Sequence, residues 1–185
     1  MKYMGLFLLH WGAVTVAGAA INLSTTKNQV EFLAVGQPSA IKIRGKLEKD
    51  KLSGTCSLEK TTFACSGKIP LDSLDTGIKL RNEHLKEKYL ETAKYPESTL
   101  VIDPIQLGEG ADTPNLEKKG EFKGKLTLHG VTREEKGQYE LKKEAGKLKA
   151  NFEFEIELEP YKIEIPSYLG IKVSKKVEVK VEIQQ

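Results

Sequence analysis

Residues able to run polar chemistry are few in this sequence, and their spacing points away from catalysis. Arg81 and His84 lie three apart. A guanidinium presents a fixed fork of donors that suits a carboxylate or phosphate, and an imidazole donates or accepts. At a helix end beside a cavity mouth, the two would contact the polar head of a ligand. As structural residues, they would dock that helix on the rest of the fold. His129 falls, by strand alternation, on the face opposite Leu126 and Leu128. That makes it a solvent-side or loop-capping residue before a ligand contact. Asp72 and Asp75 are three apart; paired carboxylates run acid–base chemistry only where their surroundings perturb them, and the plainer role is to cap a loop. No H-E-x-x-H, G-x-S-x-G or phosphate-loop pattern is present. Glu153, Glu155, Glu157 and Glu159 alternate along a line and do not converge as calcium ligands do. They are expected to pair with lysines across strands. The reading is a protein without catalytic residues, and not an enzyme.

Cys56 and Cys65 add a different chemistry. A hairpin turning at Lys60 and Thr61 sets 59 against 62 and, counting outward, 56 against 65. The two thiols then face each other at a non-hydrogen-bonded position, where side chains lie closer. A structural disulfide is expected. The spacing is not that of a catalytic C-x-x-C pair, and two cysteines without a nearby histidine make a poor zinc site.

These groups need a scaffold, and residues 80–100 are its one helical piece. Asn82 is the expected N-cap, with Glu83 in the first turn, where the helix dipole favours a negative charge. Leu85, Tyr89 and Ala93, with Leu90 beside them, form an apolar stripe at helical period. Pro96 ends the element. About three turns of helix are marginal alone, so the stripe must be covered by the rest of the chain.

The remainder alternates like strands. Ile41, Ile43, Gly45 and Leu47 share one face, as do Phe122, Gly124, Leu126 and Leu128. Leu148, Ala150, Phe152, Phe154, Ile156 and Leu158 make the longest such series, and Val177, Val179, Val181 and Ile183 close the chain. In residues 99–107, Leu100 and Ile102 fall on one side and Val101 and Ile105 on the other. Residues 133–136 read as a turn. Strict alternation means strands wet on one side, which argues against a parallel sheet buried on both faces. The fold class is all-β: an antiparallel barrel of about eight strands with one short helix. A barrel of that size is either filled by its side chains or holds one small ligand, and periodicity does not separate the two.

The 185 residues carry a formal charge of +3, with acidic and basic residues interleaved. That is a mixed surface and no nucleic-acid footprint. Lys2, an apolar run over residues 4–20, and Ala17-Gly18-Ala19 read as a secretory signal peptide over residues 1–19, cleaved near Ala19-Ala20. Residues 20–185 are then one domain, periplasmic or secreted, with no further run able to span a membrane as a helix. Its oligomeric state is not legible.

Three segments carry a family resemblance: Thr76-Gly77 followed by Arg81-Asn82-Glu83-His84-Leu85, then Tyr95-Pro96, then Gly124-Lys125-Leu126-Thr127-Leu128-His129-Gly130-Val131-Thr132. In order and spacing they resemble the YceI-like proteins, exported lipocalin-like barrels. The resemblance implies an elongated apolar cavity, a bound polyisoprenoid or quinone-like lipid, and no other cofactor. Arg81, His84, Leu85 and Tyr89 would then meet the ligand from the helix, and Leu126, Leu128, Phe152, Phe154 and Ile156 from the strands. The chain departs from the family where an arginine and an aspartate are usual near the end; Ser167-Tyr168-Leu169-Gly170-Ile171 stands there instead. The functional expectation is an exported carrier of an isoprenoid or similar lipid. The alternative is a packed, non-enzymatic barrel acting through its surface.

Overall fold

The structure is a computed structural model that describes residues 19–37, 41–108, 113–168 and 171–185. The expected signal peptide lies outside the described residues except for Ala19. Twelve strands follow one another: β1 (Ala19–Asn22), β2 (Lys27–Gln37), β3 (Lys42–Leu47), β4 (Ser53–Leu58), β5 (Thr62–Pro70), β6 (Leu74–Asp75), β7 (Glu97–Gln106), β8 (Leu116–Leu128), β9 (Val131–Glu144), β10 (Lys147–Glu157), β11 (Ser167–Tyr168) and β12 (Ile171–Gln184). Helix α1 (Lys79–His84) runs into a π-helical turn (Leu85–Tyr89) between β6 and β7.

All the strand pairs are antiparallel. They form one curled sheet in the order β1-β4-β5-β7-β8-β9-β10-β12-β2-β3-β6, with β11 paired only to β12. The path has eleven strands where about eight were expected. Part of the excess is a bend: the 3-10 turn Leu23–Thr25 divides the first segment into β1 and β2. β1 pairs with β4 and β2 with β12, so the chain itself ties one end of the path to a strand near the other. Among the described residues the end strands β1 and β6 do not pair with each other. The two-residue β6 blunts the other edge, the usual way of keeping an open edge from recruiting a second chain.

The alternation read from sequence sorts the faces correctly in the long strands. Leu148, Ala150, Phe152, Phe154, Ile156 and Leu158 are all buried, and the glutamates between them point out. Those glutamates pair across β10 and β12: Glu153 accepts from Lys180 and Glu155 from Lys176, both at 2.7 Å. In β7 the expected sides hold for Leu100, Val101 and Ile102 and fail for Ile105. Ile102 and Ile105 are both buried and Val101 is exposed. The pairing with β5 slips between Phe63↔Ile105 and Cys65↔Ile102, so β7 holds one extra residue there. Pro104 falls inside the bulge, where a residue that cannot donate a ladder hydrogen bond is tolerated.

Residues 133–136, expected to turn, lie inside β9. The turn is His129-Gly130, with φ of 51° and 72°, closing Leu128 directly onto Val131. Two successive left-handed residues match the twist of a two-residue hairpin, and glycine in the second position removes the Cβ penalty. Cys56 faces Cys65 as counted, their Cα atoms 4.0 Å apart, and they form the disulfide. Replacing both with alanine is expected to cost about 2–3 kcal/mol, from the short loop the bond closes. An unchanged urea midpoint would rule that contribution out.

Candidate functional site

The helix does not start where its sequence suggested. Asn82 is not the N-cap; Ile78 precedes the first turn in extended conformation and makes no side-chain cap bond. Asn82 sits inside α1 and reaches back to the loop. Its Oδ1 accepts from the Thr76 N–H at 2.8 Å and the Thr76 hydroxyl at 2.6 Å, and its Nδ2 donates to Asp75 at 2.7 Å. Gly77, at φ 80°, makes the sharp turn this requires, and its N–H also donates to Asp75. That backbone N–H, followed by the Asn82 amide, holds the Asp75 carboxyl below its ordinary range. The contribution is full above the ordinary carboxylate pKa and fades only as pH falls through the lowered value. Asp75 is therefore a loop clamp, and Asp72 accepts from the Ser73 hydroxyl.

Past His84 the helix widens. Leu90 N–H bonds to the Leu85 carbonyl, five residues back, and Glu91 ends the segment with φ 44°. The end thus comes before Pro96, whose carbonyl instead accepts from Leu71 N–H. Leu90 is buried and Leu85 and Tyr89 half-buried, while Ala93 of the expected stripe is exposed.

Between this helical segment and the inner face of the sheet lies a cavity of about 720 Å³. Its volume is in the range that accommodates a ligand, so the interior is not filled by side chains. The structure brings all nine sequence-proposed ligand residues to its wall: Arg81, His84, Leu85 and Tyr89 from the helical segment, Leu126 and Leu128 from β8, and Phe152, Phe154 and Ile156 from β10. Phe32 of β2, Leu100 of β7 and Val179 and Val181 of β12 are among the other apolar residues of the lining. The floor is aromatic. Phe152 stacks on Phe63 at 6.1 Å and takes the edge of Phe122 at 5.4 Å, and Phe122 meets Phe154 at 5.9 Å. Gly137 lies opposite both Phe122 and Phe154; a Cβ there would overlap the Glu153 carbonyl and crowd the Phe154 Cβ and the Phe122 ring.

The mouth is where the polar residues gather. Arg81 is held by Thr76, its Nε donating to the hydroxyl at 2.8 Å and its Nη2 to the carbonyl at 2.6 Å. Three of its five N–H groups are left for another acceptor. His84 makes no hydrogen bond among the described residues and is exposed at the rim. Lys88 also lines the mouth, 3.8 Å from Glu164 and over the Tyr89 ring. Sequence reasoning missed Lys88, although it follows Arg81 by seven and His84 by four, the spacing of one helical face. It missed Ile78 and Leu80 because it started the helix too late.

His129 lies away from the cavity and is not solvent-side. It is 6% exposed. Nδ1 donates to the Tyr161 carbonyl at 3.0 Å, Nε2 meets the Glu91 carboxylate at 2.7 Å, and the ring packs on Tyr95 at 4.4 Å. The Tyr161 hydroxyl donates to Glu135; burial first, then that carboxylate, pushes its pKa well above the usual tyrosine value. This cluster fastens the exit of the helical segment to the β8–β9 hairpin.

Fold and site together define a curled antiparallel β-barrel-like protein with an apolar cavity and a polar mouth. The chain belongs to the YceI-like domain family, whose model matches residues 21–185. Its fold is shared with a polyisoprenoid binding domain from Saccharophagus degradans implicated in plant cell wall breakdown, at TM-score 0.71 and 18% identity over 91% of this chain and 98% of that one. BcnA of Burkholderia cenocepacia aligns at TM-score 0.69 and 17% identity, covering 85% and 96% of the two chains. The YceI protein of Campylobacter jejuni aligns at TM-score 0.61 and 18% identity, covering 77% and 84%. No curated protein matches the sequence.

Proposed function

We propose that this protein binds and carries an isoprenoid or similar long-chain lipid, without catalysing a reaction on it. The chain lies in the apolar cavity and the polar head sits at the mouth, against Arg81, His84 and Lys88. One observation carries the reading: a cavity of about 720 Å³ with an apolar wall whose charged residues, Glu31, Arg81 and Lys88, are not among the buried ones. Burial supplies the binding energy, at about 0.8 kcal/mol for each methylene taken out of water. The unused N–H groups of Arg81 supply orientation, since a head group with acceptor oxygens satisfies them. The polyisoprenoid-binding neighbour from Saccharophagus degradans supports the same class of ligand.

The protein works outside the cytoplasm, periplasmic or secreted, after loss of residues 1–19. The Cys56–Cys65 disulfide fits an oxidising compartment. N-terminal sequencing of the exported protein tests this; a chain that keeps residues 1–19 would overturn it.

Native mass spectrometry of the protein purified from its own host, followed by organic extraction, tests ligand binding. A stoichiometric adduct of isoprenoid mass is expected. A bare mass after incubation with long-chain quinones and polyprenyl phosphates would reject the carrier. Arg81→Gln is expected to retain the chain but weaken binding of a ligand with an anionic head by roughly tenfold or more, the worth of a charged hydrogen bond. Equal affinity in the variant would remove Arg81 from the head-group site.

A further inference from the structure

Ile78 and Leu80 are each 53% exposed, and both also line the cavity. With Val101 they are the exposed large apolar side chains among the described residues, and Val101 does not line the cavity. The apolar wall therefore continues over the start of α1 onto the outer surface, forming a lip. Lys79 stands between the two, its side chain 92% exposed. Residues 79–89 hold Lys79, Arg81, Lys86 and Lys88 against Glu83 and Glu87. The ion pairs here are long, Lys79 to Glu83 at 3.9 Å and Lys88 to Glu164 at 3.8 Å, and among the described residues Lys86 is in none within 4 Å, though its charge acts on Asp75.

Two apolar side chains are too few for the core of a stable protein–protein interface. They suit a lipid surface, where a short apolar edge enters the acyl boundary and flanking lysines meet anionic head groups. We propose that this lip docks on an anionic lipid bilayer. Ile78 and Leu80 enter the acyl boundary, Lys79 and Lys86 face lipid phosphates, and the lipid chain passes between membrane and cavity along a continuous apolar path. The proposal rests on the lipid-binding reading above and adds where the lipid is exchanged.

Vesicle flotation and lipid transfer test it. The protein is mixed with phosphatidylcholine vesicles, with or without phosphatidylglycerol. A fluorescent polyprenyl phosphate is offered either in those vesicles or as a cyclodextrin complex in water. Wild-type protein is expected to float with the anionic vesicles, less so as salt rises. Ile78→Ser with Leu80→Ser is expected to abolish flotation. Lys79→Glu with Lys86→Glu, outside the cavity wall, is expected to slow transfer from anionic vesicles roughly tenfold or more and leave uptake from cyclodextrin unchanged. Thermal melting confirms that each variant is folded. Wild-type protein that floats with neither vesicle, or variants that float and take up lipid like wild type, would overturn the docking. Wild-type protein that takes no probe from cyclodextrin would overturn the lipid-binding reading and the docking with it.

Discussion

Val179→Trp is expected to weaken uptake of a long-chain lipid on the order of a hundredfold while the sheet stays folded. Val179 pairs with Phe154 on one side and Phe32 on the other, and its half-buried side chain faces the cavity. An indole there projects into empty volume instead of a filled core, so the overpacking cost stays at or below the usual ~1–3 kcal/mol. The cost to binding is larger. Excluding about four methylenes forfeits about 3 kcal/mol, on the order of a hundredfold in affinity. Fluorescence titration with a polyprenyl probe, beside a thermal melt, reads both effects. Lipid bound at wild-type affinity by folded Val179→Trp would mean that the chain does not occupy this cavity.

His129→Ala is expected to destabilise the fold by about 2–3 kcal/mol. It removes a buried ring bonded to the Tyr161 carbonyl and the Glu91 carboxylate, and an unsatisfied buried acceptor costs about 1–3 kcal/mol. Alanine inherits the left-handed backbone at φ 51° that histidine already occupies, so that conformation adds little to the difference. His129→Asn tests the side-chain bonds by themselves, because asparagine tolerates that backbone and keeps a polar side chain. It is expected to lose roughly half as much as alanine does. Urea unfolding measures all three proteins. If alanine and asparagine are within about 0.5 kcal/mol of wild type, the scale of a typical surface change, the cluster does not hold the helical exit to the hairpin.

The sequence by itself determined what local chemistry can determine. Alternation fixed which face of β10 is buried, because a strand's side-chain period is two and a slip would invert every residue. The count outward from Lys60 and Thr61 paired Cys56 with Cys65, because a tight turn sets hairpin register. The motifs around Arg81 and Gly124 pointed to the family, and with it to the nine residues that line one cavity. The tertiary structure decided the rest. Ile105 faces inward because a bulge at Pro104 shifts β7 against β5, and no single-strand periodicity reports a slip relative to a partner. Asn82 clamps Thr76 and Asp75 because Gly77 folds the loop back, so a residue with capping chemistry capped something other than its own helix. His129 is buried because its turn is closed over by Glu91, Tyr95 and Tyr161, each more than thirty residues away in sequence. The apolar interior is hollow above Phe152 and packed below it. The same alternating residues serve a filled or a hollow barrel, and only the curl of the whole sheet and the seat of the helix across it set how much space they enclose.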